Sequence, residues 1–163
     1  MGALRRFLLG LGLVYGLTLP NDSVNRTPNS ETVSVGWGEI GYNNGPLESK
    51  GFHYCSAVIL DYGNEALLAH AFQSFHYKSC TATVADDLVR ESRKHGLYPK
   101  SAEAILNIGN KDDLEQIEGG LREHGIRIRE VVIDEPVNIG THMDIYYDPL
   151  TNFIRVTHKE VDD

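Results

Sequence analysis

The sequence predicts an α+β fold in which two helices cover a largely antiparallel, β-sandwich-like sheet system. Three observations carry this expectation. Strand patterns outnumber helical ones, several neighbouring strands are joined by hairpin-length turns, and the two central strands are apolar at nearly every position. The chain has 163 residues, of which 41% are hydrophobic and 23% charged. That composition fits one globular domain, large enough to bury a core without disulfides or a structural metal.

The N-terminus opens with Arg5 and Arg6, followed by an apolar run from Phe7 to Leu19 that Pro20 closes. The run is too short to span a bilayer, which needs about 20 residues. It holds Gly10, Gly12 and Gly16, and no A-x-A-like site follows it. An arm packed on the domain or a partner, an export signal and a membrane-surface anchor all remain open. Asn21 to Thr32 is rich in Asn, Ser, Thr and Pro and reads as a linker, so the domain is expected over residues 33–163.

Val33 to Trp37 is a short strand, and Asn43-Asn44-Gly45-Pro46 marks a turn or loop. Tyr54 to Leu60 and Glu65 to Phe72 then form a hairpin about Asp61-Tyr62-Gly63-Asn64. Since neither run alternates, both faces of this hairpin are expected to be covered, at the centre of the fold. Between Thr81 and His95, apolar Val84, Ala85, Leu88 and Val89 recur at helical spacing. Asp86 and Asp87 sit early, Arg93 and Lys94 late, and Gly96 stands where a C-terminal cap is wanted. A second helix is predicted from Lys111 to His124, with Asn110 as its N-cap and Gly125 past its end. Its interior Gly119-Gly120 suggests close packing against a sheet. Strands are predicted at Ala102 to Ile108, Ile126 to Ile133, Met143 to Tyr147 and Phe153 to Thr157.

With 15 Lys+Arg against 23 Asp+Glu, the formal charge is -8. Without a long basic run, nothing suits the chain to nucleic acid. Cys55 and Cys80 form neither a CxxC pair nor a dense framework, which points to a reduced, cytoplasmic setting unless the N-terminal run directs export or membrane association. The chemistry is expected in the central hairpin. If its turn is Asp61 to Asn64, Cys55 faces His70, Ala57 faces Leu68 and Ile59 faces Ala66. Facing Cβ atoms lie about 4.5 to 5.5 Å apart, close enough for a thiol and an imidazole to share a proton. A neighbouring imidazolium lowers a thiol pKa and activates sulfur for attack, and the imidazole can then return a proton to a departing amine.

These residues resemble those of the CheD-type chemoreceptor glutamine deamidases, a Cys-His superfamily that also includes the catalytic domain of cytotoxic necrotising factor. The resemblance runs from Val33 to Lys159. Val35-Gly36-Trp37-Gly38-Glu39 is similar to the family's opening GxGE segment, and Ser49 precedes Cys55 in the spacing of the family's hydroxyl residue. Cys55-Ser56-Ala57-Val58-Ile59-Leu60 looks like the nucleophile strand and Leu68-Ala69-His70-Ala71 like the histidine strand. The family's glycine pair after the third strand is here Asn107-Ile108-Gly109-Asn110, with one glycine in place. Its later glycine- and arginine-containing segment is here Glu135 to Thr141, which keeps Asn138.

The resemblance implies a three-layer α/β/β domain and a protein-glutamine deamidase. Cys55 would attack a side-chain carboxamide, His70 would serve as base and then acid, and Ser49 would orient His70. It implies neither metal nor organic cofactor, a protein partner carrying a glutamine, a possible regulatory protein and a role in chemotaxis. Two other functions are compatible with the residues. One is a zinc site built on His53-x-Cys55 and His76-x-x-x-Cys80 with His70 nearby. The other is a non-catalytic module that docks a partner protein.

Overall fold

The computed structural model describes residues 28–72, 80–134 and 141–160. The N-terminal apolar run, His76 and Asn138 lie outside them. Among the described residues no helix is long and apolar enough to cross a membrane.

The predicted α+β class is the one observed, in three layers. One sheet contains β1 (Val33–Val35), β3 (Leu47–Phe52), β8 (Thr141–Asp148) and β9 (Phe153–Glu160), in that order. The other runs β2 (Ile40–Asn43), β5 (Ala66–Ala71), β4 (Ser56–Asp61), β6 (Glu103–Ile108) and β7 (Arg127–Ile133). Among the described strands, β1 with β3 and β6 with β7 pair in parallel and the other pairs are antiparallel. The helices α1 (Val84–Lys94) and α2 (Leu114–Glu123) cover one face of the β4–β5 sheet, packing Val84, Leu88, Ile117 and Leu121 on Val58, Leu67 and Leu106. The β3–β8 sheet covers the other face, packing Leu47, Met143, Ile145 and Tyr147 against Ala57, Ile59 and Leu68. Every residue of β4 and β5 is therefore buried, which is why neither strand alternates in sequence.

Both helices end as their glycines predict. Gly96 and Gly125 adopt positive φ, and the next residues' N–H groups, Leu97 and Ile126, donate back to the Ser92 and Leu121 carbonyls. Asn110 accepts from the Asp112 N–H at 3.1 Å at the head of a single 3-10 turn, Lys111–Asp113, that leads into α2. The Gly119-Gly120 pair corrects one expectation, since the close neighbour is a helix rather than a sheet. A Cβ on Gly120 would lie 2.9 Å from the Ala85 Cβ of α1, whereas one on Gly119 would meet nothing within 4 Å. Gly119→Ala is accordingly expected to stabilise the protein by about 0.5–1 kcal/mol, and Gly120→Ala to destabilise it. Urea midpoints of the two variants check this.

The strands β2 and β3 were not legible as strands. β2 carries Gly41, where a Cβ would come within 2.4 Å of the Val35 side chain. β3 buries Leu47, Ser49 and Phe52 while Glu48 and Lys50 face outward. Its alternation holds only from Leu47 to Lys50, shifts at an irregularity between Ser49 and Phe52, and gives one inward position to a hydroxyl.

Candidate functional site

The hairpin register differs from the one expected. Ala57, not Cys55, faces His70, with Ile59 opposite Leu68 and Asp61 opposite Ala66. The turn itself is the cause. Asp61 is the last strand residue, and its Oδ1 accepts from the Gly63 N–H at 2.8 Å, while the Tyr62 N–H donates to the Glu65 carbonyl at 2.9 Å. The turn is thus Tyr62 to Glu65. Because the register moves by two residues, no side chain changes face. Cys55 sits just before the first residue of β4, on the face of Ala57 and Ile59, diagonal to His70 rather than opposite it.

His70 is held from several sides. The glycine-rich segment after β1 clamps its backbone: its N–H donates to the Glu39 carbonyl at 3.1 Å and its carbonyl accepts from the Gly38 N–H at 3.0 Å. The segment's turn is closed by the Glu39 carboxylate, which accepts from the Gly36 N–H. Phe52 stacks on the imidazole with centroids 3.7 Å apart, and Trp37 lies tilted at 6.1 Å. Trp37 also stacks on Phe72 at 6.5 Å, yet is more than half exposed.

Ser49, on β3 of the facing sheet, fixes the tautomer of His70. Its Oγ donates to the Val35 carbonyl at 2.6 Å and lies 2.9 Å from His70 Nδ1. A hydroxyl has one proton, so with that proton on Val35 the oxygen can only accept from Nδ1–H. The lone pair of His70 is therefore on Nε2, which is buried and has no hydrogen-bond partner, the Cys55 thiol included. Ser49 and His70 are fully buried and Cys55 nearly so.

Burial also sets the charge states. It lowers the His70 imidazole to about 4 and raises the Cys55 thiol above its usual range. Backbone hydrogen bonds at His53 and Tyr54 pull the thiol down, and the Asp113 carboxylate pushes it up again. The imidazolium–thiolate pair expected from sequence is not the resting state, since both groups are neutral here.

Cys55 is placed by a close backbone contact. Its carbonyl oxygen would lie 2.3 Å from a Cβ on Gly109, just past the end of β6, so only glycine lets the two segments meet. On β6 itself, Asn107 faces Ala57 from the side opposite His70, and both its Nδ2 and Oδ1 are buried without a partner. Sequence reading gave Asn107 no role. The signal was there, as the one polar residue in the run Ala104 to Ile108.

Among the described residues no three His, Cys, Asp or Glu side chains converge as a metal site would require. His53 is half-buried and set edge-on to Tyr54 at 5.3 Å, while Cys80 bonds weakly to Thr83 at 3.5 Å. No family model matches the chain, and a search of curated proteins returns no match.

Proposed function

We propose that this protein is a cysteine hydrolase that deamidates glutamine side chains, with Cys55 as nucleophile, His70 as general base and acid, and Ser49 as the residue that orients His70. The observation that carries the reading is the proton arrangement at Ser49. A serine that donates to Val35 and accepts from Nδ1 leaves a bare Nε2 lone pair on the face that also holds the thiol. That is the tautomer a general base needs. The motif order shared with CheD-type deamidases supports the same assignment.

The steps follow from the neutral resting pair. As Sγ bonds to the carboxamide carbon, its proton passes to Nε2 and the carbonyl electrons move onto oxygen. The C–N bond then breaks as Nε2–H protonates the leaving nitrogen, which departs as ammonia. Water attacks the thioester carbon, giving one proton to Nε2, the C–S bond breaks to expel the thiolate, and Nε2–H returns the proton to sulfur. The sum is carboxamide plus water to carboxylic acid plus ammonia. With burial raising the thiol and lowering the imidazole to about 4, moving the proton before the S–C bond forms runs uphill. Transfer must accompany bond formation.

The half-exposed aromatics Trp37, over the His70 strand, and Tyr54, next to Cys55, favour a substrate glutamine carried on a protein, since such side chains are enriched where proteins dock. Incubating the protein with glutamine-containing polypeptides is expected to release ammonia and convert glutamine to glutamate by mass, and Cys55→Ala to stop both. Release that survives Cys55→Ala overturns the assignment. If the wild type releases none, the reading passes to a protein-docking module.

A further inference from the structure

We infer that Asn107 is the specificity element of this site, pairing edge-on with a primary carboxamide held against Cys55. The inference rests on the hydrolase reading above and names what that site selects.

Its starting point is the row His70, Ala57, Asn107 across three adjacent strands, with Ala57 facing both neighbours. Facing residues project from the same side of a sheet. Strands lie about 4.8 Å apart, so His70 and Asn107 flank β4 at about 10 Å, with only the Ala57 methyl between them. Cys55 stands two residues before Ala57 on the same face, diagonal to both. The imidazole, the thiol and the carboxamide therefore project from one face of the sheet, around the Ala57 methyl.

Asn107 is 3% exposed, and leaving both halves of its carboxamide unpaired is costly in a buried layer. A ligand that cancels the cost must offer a donor and an acceptor side by side. A primary carboxamide does so: its oxygen accepts from Nδ2–H while its N–H on the oxygen side donates to Oδ1, closing a flat eight-membered ring. A trans secondary amide cannot, because its single N–H points away from its oxygen. An ester has no N–H at all. After hydrolysis the product carboxylate sets a bare oxygen against Oδ1, which weakens its hold and favours release. The pairing lies in the plane of the amide, so the face that sulfur must attack stays open.

Asn107→Leu keeps the branched shape and removes the unpaired polar atoms. The test compares it with the wild type on a blocked glutamine peptide and on the matching glutamate γ-methyl ester, together with thermal melts. The expected result is a fall in kcat/KM of about 100-fold or more on the amide, less than about tenfold on the ester, and a Tm about 3 °C higher. Equal losses on amide and ester, or a lower Tm, would show that Asn107 holds the fold and overturn the inference while leaving the hydrolase intact. If the wild type hydrolyses neither substrate, the hydrolase reading fails and binding decides about Asn107. Titrating Cys55→Ala with the glutamine peptide should shift the Asn107 side-chain amide resonances, whereas the N-methylamide and the glutamate peptide should not. Equal shifts from all three, or none, overturn the inference.

Discussion

Replacing His70 with glutamine is expected to lower turnover of a glutamine substrate by at least about 10³-fold and, in the same protein, to remove a source of acid sensitivity. The first effect follows from the loss of the group that takes the thiol proton in the proposed mechanism. The second follows from burial. The imidazole is held to about 4 in the folded protein, against about 6.5 in an unfolded chain. Between these values the unfolded state binds more protons than the folded one. The stability His70 secures is therefore complete above about pH 6.5 and is lost as pH falls through 4. The separation corresponds to about 3 kcal/mol. Urea midpoints of the wild type should drop between pH 7 and pH 4.5, ahead of carboxylate titration, and those of His70→Gln should drop less. Activity follows the same logic: Nε2 remains an unprotonated base down to about pH 5, so kcat/KM should hold through pH 6. A wild-type acid limb centred near 6.5 in both stability and kcat/KM would mean that water reaches the ring and that the dry site described here is wrong.

How much of this arrangement could be read from sequence depended on whether a residue serves the fold or the site. The helices were legible because Val84, Leu88, Ile117 and Leu121 keep helical spacing and Gly96 and Gly125 stop the chain where positive φ is needed. The central hairpin was legible because burial on both faces leaves an unbroken apolar run. Its register was not, because Asp61 closes the turn with its side chain while remaining a strand residue, and composition cannot separate that from a turn starting at Asp61. The error was harmless to the face assignment only because it was even. β3 escaped notice for a different reason: Ser49 occupies an inward position that packing alone would give to an aliphatic residue, and the hydrogen bond to His70 explains its presence. Asn107 likewise puts a polar side chain into the buried run of β6, although that strand was legible. Two of the places where local rules fail, Ser49 and Asn107, contact the His70 ring or face Ala57 beside it.

Gly109→Ala is expected to be among the most damaging small substitutions in the protein, although it adds a single methyl group. The new Cβ would lie 2.3 Å from the Cys55 carbonyl oxygen and 3.3 Å from the Cys55 N and C atoms. All three obstacles are backbone, so no rotamer change relieves them, and an ordinary contact requires the two segments to part by roughly 1 Å. Overpacking of this kind costs about 1–3 kcal/mol, or a Tm lower by several degrees in a chain of this size. The chemical effect should be larger than the stability effect. Cys55 lies just outside β4, one residue before the Ser56–Ala71 and Ser56–Ile108 pairs, so the displacement falls on the sulfur, and about 1 Å of misplacement costs on the order of 100-fold in rate. The loss should fall on kcat more than on KM, because Asn107 and Ala57 lie on strands whose pairing the methyl does not touch. Gly119→Ala is the control: it adds the same methyl in open space and should raise stability and leave kcat unchanged. Wild-type kcat in a folded Gly109→Ala protein would mean that the Cys55 segment tolerates displacement, and a nucleophile placed by contact with Gly109 would then be ruled out.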